Sequence, residues 1–592
     1  MKKTHQGLPA QGWKKSLLSL AVGAALCTPV TVMAVQFELA DGEVTGALDT
    51  TLSYGALWRV TGKDSRLLAR AKGGDRNSAN YDNGNAGYDR GDLVSSIFRV
   101  SNDLDVNYKN FGAFVRVSSF YDHAIQNKDF DPLLADQKVI RSRLGHDYEI
   151  YDAYVRGKFN MLDRNVGVRL GKQVISLGES TFIPNGLNAL NPVDVGKLRT
   201  PGAELKEAFL PTQMLQVTFD VTDNISVELI NKFQFRESRP EPNGSYFSTN
   251  DFLSPGGTKV LLQAGGANEA SPVRISRGRD KTAKDTGQYA VALRMLSPEL
   301  NNTEFGLYAM NYHSSAPSIA GRTGAVAGPF PGGMPTTATY NAEYVEDIRL
   351  YGISFNTLGP LGVALQGEYS YRPNQPLNLV ANNTLNALLA QNGSSFNTGI
   401  GAIGPNAEVV GYKKVKMHQF QMTATQTLGR YLGASQIIAL GEAGYTYLDL
   451  PKGIDFNGTG VDFTTPLLTN GLNTNGVQVI SSDRGILTKN SYGYRALLRA
   501  TYNNAIGAIN LSPRVAFQHD LRGTSPTFTH NTQSVTVGVT AEYQNNISAD
   551  ISYTNFFAGE TIGATNNVSA FKSTNQALAD RDFIAATVSY AF

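Results

Sequence analysis

Hydrolytic chemistry on this chain would need a serine or aspartate with a histidine within hydrogen-bond reach. Beyond residue 34 the histidines are His123, His146, His313, His418, His519 and His530, scattered over the whole length. His519 with Asp520 has suitable residue types, but an acid beside a histidine ordinarily marks a solvated loop. Gly399-Ile400-Gly401-Ala402-Ile403-Gly404 matches the spacing of a dinucleotide-binding loop. It follows no buried strand, and Pro405 stands where a helix would have to open, so the match carries no cofactor. Asp75, Asp82, Asn83, Asn85, Asp89 and Asp92 are calcium-ligand types, yet their spacing is not that of an EF-hand loop. The sequence has no P-loop, no H-E-x-x-H and no G-x-S-x-G motif. The chain is therefore expected to be no enzyme, with no cofactor, metal site or nucleic-acid partner.

The remaining chemistry lies in charges that recur on one face of alternating segments. Period-2 alternation predicts about eighteen strands. The first nine are Val44 to Val60, Asp92 to Asn107, Phe111 to Asp122, Tyr148 to Asn160, Asn165 to Ser176, Gln213 to Thr222, Ile225 to Arg236, Thr286 to Leu296 and Thr303 to His313. The second nine are Asp347 to Leu358, Leu361 to Tyr371, Lys414 to Leu428, Ser435 to Leu448, Ser491 to Tyr502, Gly507 to Asp520, Thr532 to Tyr543, Ile547 to Phe557 and Asp582 to Phe592. Most are long enough to cross a bilayer at a tilt. Short gaps such as 108–110, 223–224 and 544–546 alternate with long ones such as 61–91, 237–285 and 372–413. That order is expected of an all-β transmembrane antiparallel barrel with short periplasmic turns and long extracellular loops.

The last segment carries Ile584, Ala586, Val588, Tyr590 and Phe592 on one face, as in the terminal strand that barrel-insertion machinery recognises. Tyr54, Trp58, Tyr151, Phe159, Tyr492 and Tyr502 suit girdles at the lipid boundary. The opposite faces would line the lumen with Arg99, Arg116, Arg156, Arg169, Lys232, Arg236, Arg294, Arg495, Arg499 and Arg514. Asp103, Asp105, Asp152, Lys158, Glu228 and Gln518 belong to the same faces. Barrels of this strand number leave an aqueous channel. These charges serve either a passing solute or bracing of the inner wall.

At the front, Lys2, Lys3, Lys14 and Lys15 precede an apolar run from Leu17 to Leu26, and Val32-Met33-Ala34 is an A-x-A-like site. Residues 1–34 are thus expected to be a cleaved secretory signal peptide, leaving residues 35–592 as one barrel. Loss of four lysines takes the formal charge from +2 to −2, and the only cysteine, Cys27, leaves with them. No disulfide or thiolate chemistry then remains.

The gap 177–212 departs from the other long ones. Phe182, Ile183, Leu187, Leu190, Val193, Val195, Leu198, Leu205, Phe209 and Leu210 would have no reason to sit in water. Asn191-Pro192 punctuates it, Thr200-Pro201 reads as an N-cap and first helical residue, and Pro211 stops the run. The segment is expected to fold into the barrel and narrow it, with Glu179, Asp194, Lys197, Arg199, Glu204 and Lys206 facing the solute. An external lid or a subunit contact is the alternative.

Gly171-Lys172-Gln173-Val174, Leu177-Gly178-Glu179-Ser180, Asn191-Pro192-Val193-Asp194-Val195 and Arg199-Thr200-Pro201-Gly202-Ala203-Glu204-Leu205-Lys206-Glu207 together resemble an outer-membrane family known as domain of unknown function 1302. Residues 48–55 and 367–377 are similar to it as well, and the likeness covers nearly the whole mature chain. Leu177 departs from it, standing where the resemblance leads one to expect Trp. The resemblance implies an outer-membrane barrel in metabolically versatile bacteria, encoded near a periplasmic partner family and a resistance-nodulation-division exporter, in settings of hydrophobic or aromatic substrate use. The expected function is passage of a small aromatic, lipidic or anionic solute, with outer-membrane lipids, lipopolysaccharide, the insertion machinery and a periplasmic protein as partners. A non-conducting member of an export or assembly complex is the second reading, and a hydrolase at the barrel rim the third.

Overall fold

The computed structural model describes residues 35–592 apart from 77, 204, 263–268, 272–273, 326–336, 390–399, 401–402, 459–484 and 565–570. The expected signal peptide with Cys27, part of the glycine-rich run at 399–404, and Glu204 lie outside the described residues.

The alternating segments become strands of one closed antiparallel barrel of eighteen. They are β1 Val44–Arg59, β2 Leu93–Tyr108, β3 Phe111–Asp122, β4 His146–Met161, β5 Arg164–Gln173, β6 Thr212–Asp220, β7 Ile225–Lys232, β8 Gln288–Ser297 and β9 Thr303–Tyr312. They continue as β10 Ile348–Leu358, β11 Ala364–Asn378, β12 Tyr412–Leu428, β13 Gln436–Leu448, β14 Asn490–Ile506, β15 Ile509–Arg522, β16 Thr532–Tyr543, β17 Ile547–Ala558 and β18 Phe583–Ala591. Each pairs with its neighbours in sequence, and β18 closes on β1 from Thr51↔Ala591 to Arg59↔Phe583. Closure pairs the first strand with the last, so the wall amides are met by neighbouring strands and need no water. A short strand, Val35–Leu39, pairs with the start of β1.

Alternation sorts the two faces. Val155, Leu307, Ile353, Leu498, Ile551 and Val588 stand exposed on the outside, while Arg99, Glu368, Gln421, Glu442 and Arg495 are buried within. Tyr54, Trp58 and Tyr492 are outward and exposed as expected, and Phe159 meets the outward ring of Phe111 edge-on at 5.6 Å. Tyr151 is a correction. Val115 opposes Ala153 but Val117 opposes Ile150, so Tyr151 and Asp152 bulge opposite Arg116. A bulge shifts the phase of the strand by one residue, and Tyr151 is buried on the inside. A second bulge between Arg372 and Gln375 lets β11 run on through Pro373 to Asn378, beyond the expected end at Tyr371.

The long loops do not wave free. Lys259–Leu261, Arg274–Arg277, Thr339–Glu343, Ser318–Arg322 and Glu408–Val410 form a five-stranded sheet at the loop end. Tyr81, Phe252, Tyr340 and the helix Ala381–Leu389 meet in one apolar cluster around it. Tyr81 lies between β1 and β2, and the helix between β11 and β12, on opposite sides of the ring. The loops thus join across the mouth.

Candidate functional site: the lumen and its infolded segment

Between β5 and β6 the chain turns into the barrel and forms two lobes. The first packs Ile175, Leu177, Leu187 and Leu190 against Met214, Ile230, Ala292, Tyr308, Met310 and Leu350 of the inner wall. Burying each such side chain favours the docked state by roughly 1.5–3 kcal/mol. A methyl group on Gly352 would collide with Leu187, so the wall is thinned where that side chain presses.

Two wall carboxylates hold the far end of this lobe. The N–H groups of Thr181, Phe182 and Ile183 donate to Glu442 of β13 at 2.9, 2.6 and 2.9 Å. Those of Glu179, Ser180 and Leu187 donate to Glu368 of β11 at 2.6, 3.1 and 2.9 Å. Converging amides of this kind form an anion-binding nest, and here the anion belongs to the protein itself. Arg372 secures the same lobe by donating to the carbonyls of Asn185 and Gly186 at 2.8 and 2.6 Å. Gln419 donates to the carbonyl of Pro184 at 2.7 Å.

The second lobe closes where Val193 bridges Phe209. It crosses to the other side, where Gly55 of β1 admits Pro201 and Gly202 lies against Thr587 of β18. The helix expected to open at Pro201 begins only at Leu205, because Gly202 takes a left-handed φ of +71°. Glu207 accepts from Arg99 of β2 and, at 3.0 Å, from Ser118 of β3.

Among the residues expected to face solute from this segment, Glu179 is half-buried and accepts from Asn356 at 3.4 Å. Asp194 is buried and pairs with Arg239 at 3.6 Å, and burial raises its carboxyl above the usual range. Lys197 is buried with its ammonium over the Tyr151 ring at 4.6 Å. Burial pushes that amine down to about 8. Arg199 reaches Glu241 at 4.0 Å, and Lys206 reaches Asp103 at 3.4 Å.

Each of the ten arginines and lysines expected to line the lumen has a protein partner, whereas the Lys158 side chain is exposed. Arg116 bridges Asp103 at 2.7 Å and Asp152 at 3.1 Å, and Arg156 reaches Asp105 at 2.7 Å. Arg169 donates to Gln173 at 2.6 Å, Lys232 to the Leu190 carbonyl at 3.0 Å, and Arg236 to Glu149. Arg294 lies between Glu228 at 3.4 Å and Glu304 at 3.5 Å. Arg495, Arg499 and Arg514 meet Asp520, Glu542 and Asp550 at 2.7, 3.7 and 2.5 Å. Their exposures differ: the Arg99 side chain is 4% exposed, Arg514 26% and Arg499 41%. We expect Arg99→Ala, which strands the Glu207 charge, to cost about 3–5 kcal/mol. Urea unfolding would read this loss, and adding Glu207→Ala should restore most of it.

Other candidates lose their chemistry in the fold. Adjacent strand residues face opposite ways: His519 points outward beside Tyr494 and Phe517, while Asp520 is buried on Arg495. The ammonium of Lys72 takes the place a cation would have between Asp82 and Asn83, at 2.8 Å from each. Glu368, Glu442 and Arg372 were not singled out from the sequence. Their signal was available as inward-parity charges in otherwise uncharged stretches of strand.

The model of the family described as protein of unknown function (DUF1302) matches residues 15–592. No curated protein matches the chain significantly. Among solved structures, OccAB1 of Acinetobacter baumannii is similar at 10% identity and TM-score 0.39, covering 92% of this chain and 96% of its own. A BenF-like porin from Pseudomonas fluorescens Pf-5 is similar at 10% identity and TM-score 0.38, covering 92% and 98%. Pseudomonas aeruginosa OpdK with vanillate is similar at 9% identity and TM-score 0.37, covering 92% and 98%.

Proposed function

The chain belongs to the DUF1302 family, and from that premise we propose that it is an outer-membrane channel for a small anionic, aromatic or amphipathic solute. The outward apolar band flanked by aromatic rings suits a bilayer, and the charged inner faces suit water. The carrying observation is the course of residues 177–211. Their hydrogen bonds and ion pairs to the wall fall on β2, β3, β7 and β10–β13. The wall of β14–β17 faces the rest of the lumen, and it carries the more exposed cations Arg499 and Arg514. Phe182 and Leu198 are exposed on the segment, so the passage offers apolar surface together with guanidinium groups that a solute anion would share with Glu542 and Asp550. That combination suits an anion with an apolar body.

Arg499→Glu with Arg514→Glu is expected to move the reversal potential in a KCl gradient toward cation selectivity without abolishing conductance. An unchanged reversal potential would place the path elsewhere. The loop cover across the mouth favours a second reading, in which the barrel is closed at rest and opens on a partner protein. Discrete conductance steps from the isolated barrel would separate the two.

A further inference from the structure

The outside of β10–β13 near the loop end carries aligned rows. Tyr351 opposes Tyr371, Tyr371 opposes His418, and His418 opposes Tyr447, giving one aromatic row across four strands. The Tyr371 and His418 rings lie 4.6 Å apart, and Tyr369 Oη is 2.7 Å from His418 Nδ1. Two residues nearer the loop end along their strands stand Arg349 and Lys416, with Lys414 beyond, all three exposed. On the other side of the aromatic row the wall is apolar. Beside Tyr351 the small side chain of Ala309 leaves an outward cleft of about 480 Å³ bordered by Val291, Leu307 and Ile353.

The charges of this face are unevenly answered. Glu346 and Asp347 are both taken by Lys284 at 3.2 Å. Asp449 stands 3.8 Å from Lys416, and Lys414 donates to the Glu346 carbonyl at 3.2 Å. Among the described residues Arg349 has no carboxylate in ion-pair reach. Cations directly above an aromatic row and an apolar cleft match a molecule that is anionic at the water boundary and aliphatic beneath it.

We propose that this face binds a phosphorylated glycolipid of the outer leaflet, its phosphates on Arg349, Lys414 and Lys416 and one acyl chain in the cleft beside Ala309. The proposal rests on the outer-membrane reading above, with the long loops outward. It does not depend on conduction. Fixed cations at a membrane surface each add to the binding of anionic lipid.

The test is native mass spectrometry of the full barrel in nanodiscs doped with equal amounts of lipid A, dephosphorylated lipid A and phosphatidylglycerol. The wild type is expected to retain lipid A, and the triple variant Arg349→Ala, Lys414→Ala, Lys416→Ala to retain at least about tenfold less. Dephosphorylated lipid A should be lost by both. Equal retention by the variant, or phosphatidylglycerol held as well as lipid A, overturns the site. Heat-modifiable electrophoretic mobility like that of the wild type would show that the variant is folded. Fractionation of cells tests the membrane assignment separately, so the two failures are distinguishable.

Discussion

A barrel lacking residues 182–210 is expected to carry several times the single-channel current of the intact chain in a planar bilayer. The deletion joins Thr181 to Pro211, leaving β5 and β6 connected by an ordinary loop between adjacent strands. It removes the end of the first lobe and the whole of the second. A ring of eighteen strands without an inner segment encloses a water-filled channel, so the width lost to the lobes returns as current. Arg99 loses Glu207 in this variant, and Arg99→Ala added to the deletion removes that stranded charge. Conductance equal to that of the wild type would mean that residues 182–210 do not set the narrowest point.

Removing both carboxylates, Glu368→Ala with Glu442→Ala, is expected to loosen the first lobe without unfolding the wall. Each carboxylate accepts three backbone N–H groups. A buried donor left unpaired costs about 1–3 kcal/mol, so the loss of these acceptors is comparable in size with what the leucines of the lobe supply. Two readouts should move: open-channel current should flicker between levels, and chymotrypsin should cut after Phe182 in proteoliposomes. Glu368→Gln, which keeps one acceptor oxygen, should show a milder form of both. Steady current and full protection in the double alanine variant would assign the attachment to Arg372 and the apolar contacts.

The barrel was legible because its signal repeats. Each segment alternates, each alternate gap is short, and an error at one end, such as Ser176 or Arg236 beyond the observed ends of β5 and β7, leaves the count intact. The lumen is less periodic and was legible only in part. The apolar content of 177–212 pointed inward because Leu187 and Leu190 have no reason to meet water. Tyr151 misled, since a bulge reverses parity and leaves no mark in residue type. Glu368 and Glu442 went unnoticed because a lone inward acid looks the same whether it lines a passage or receives backbone amides from a loop encoded far away. The mouth cover was missed for a similar reason: its short strands pair between loops remote in sequence, where no period accumulates.

The anchoring of the first lobe has a consequence for assembly. The amide of Glu179 bonds an acceptor 189 residues downstream, and the amide of Thr181 one 261 residues downstream. While β11 and β13 are unplaced, the end of the first lobe lacks both carboxylates that receive its amides, and the cost of closing such long loops is met only late. An inserting barrel therefore passes through a stage with its wall partly built and the end of the first lobe loose, and the clasp on that lobe forms only once β13 has joined the wall.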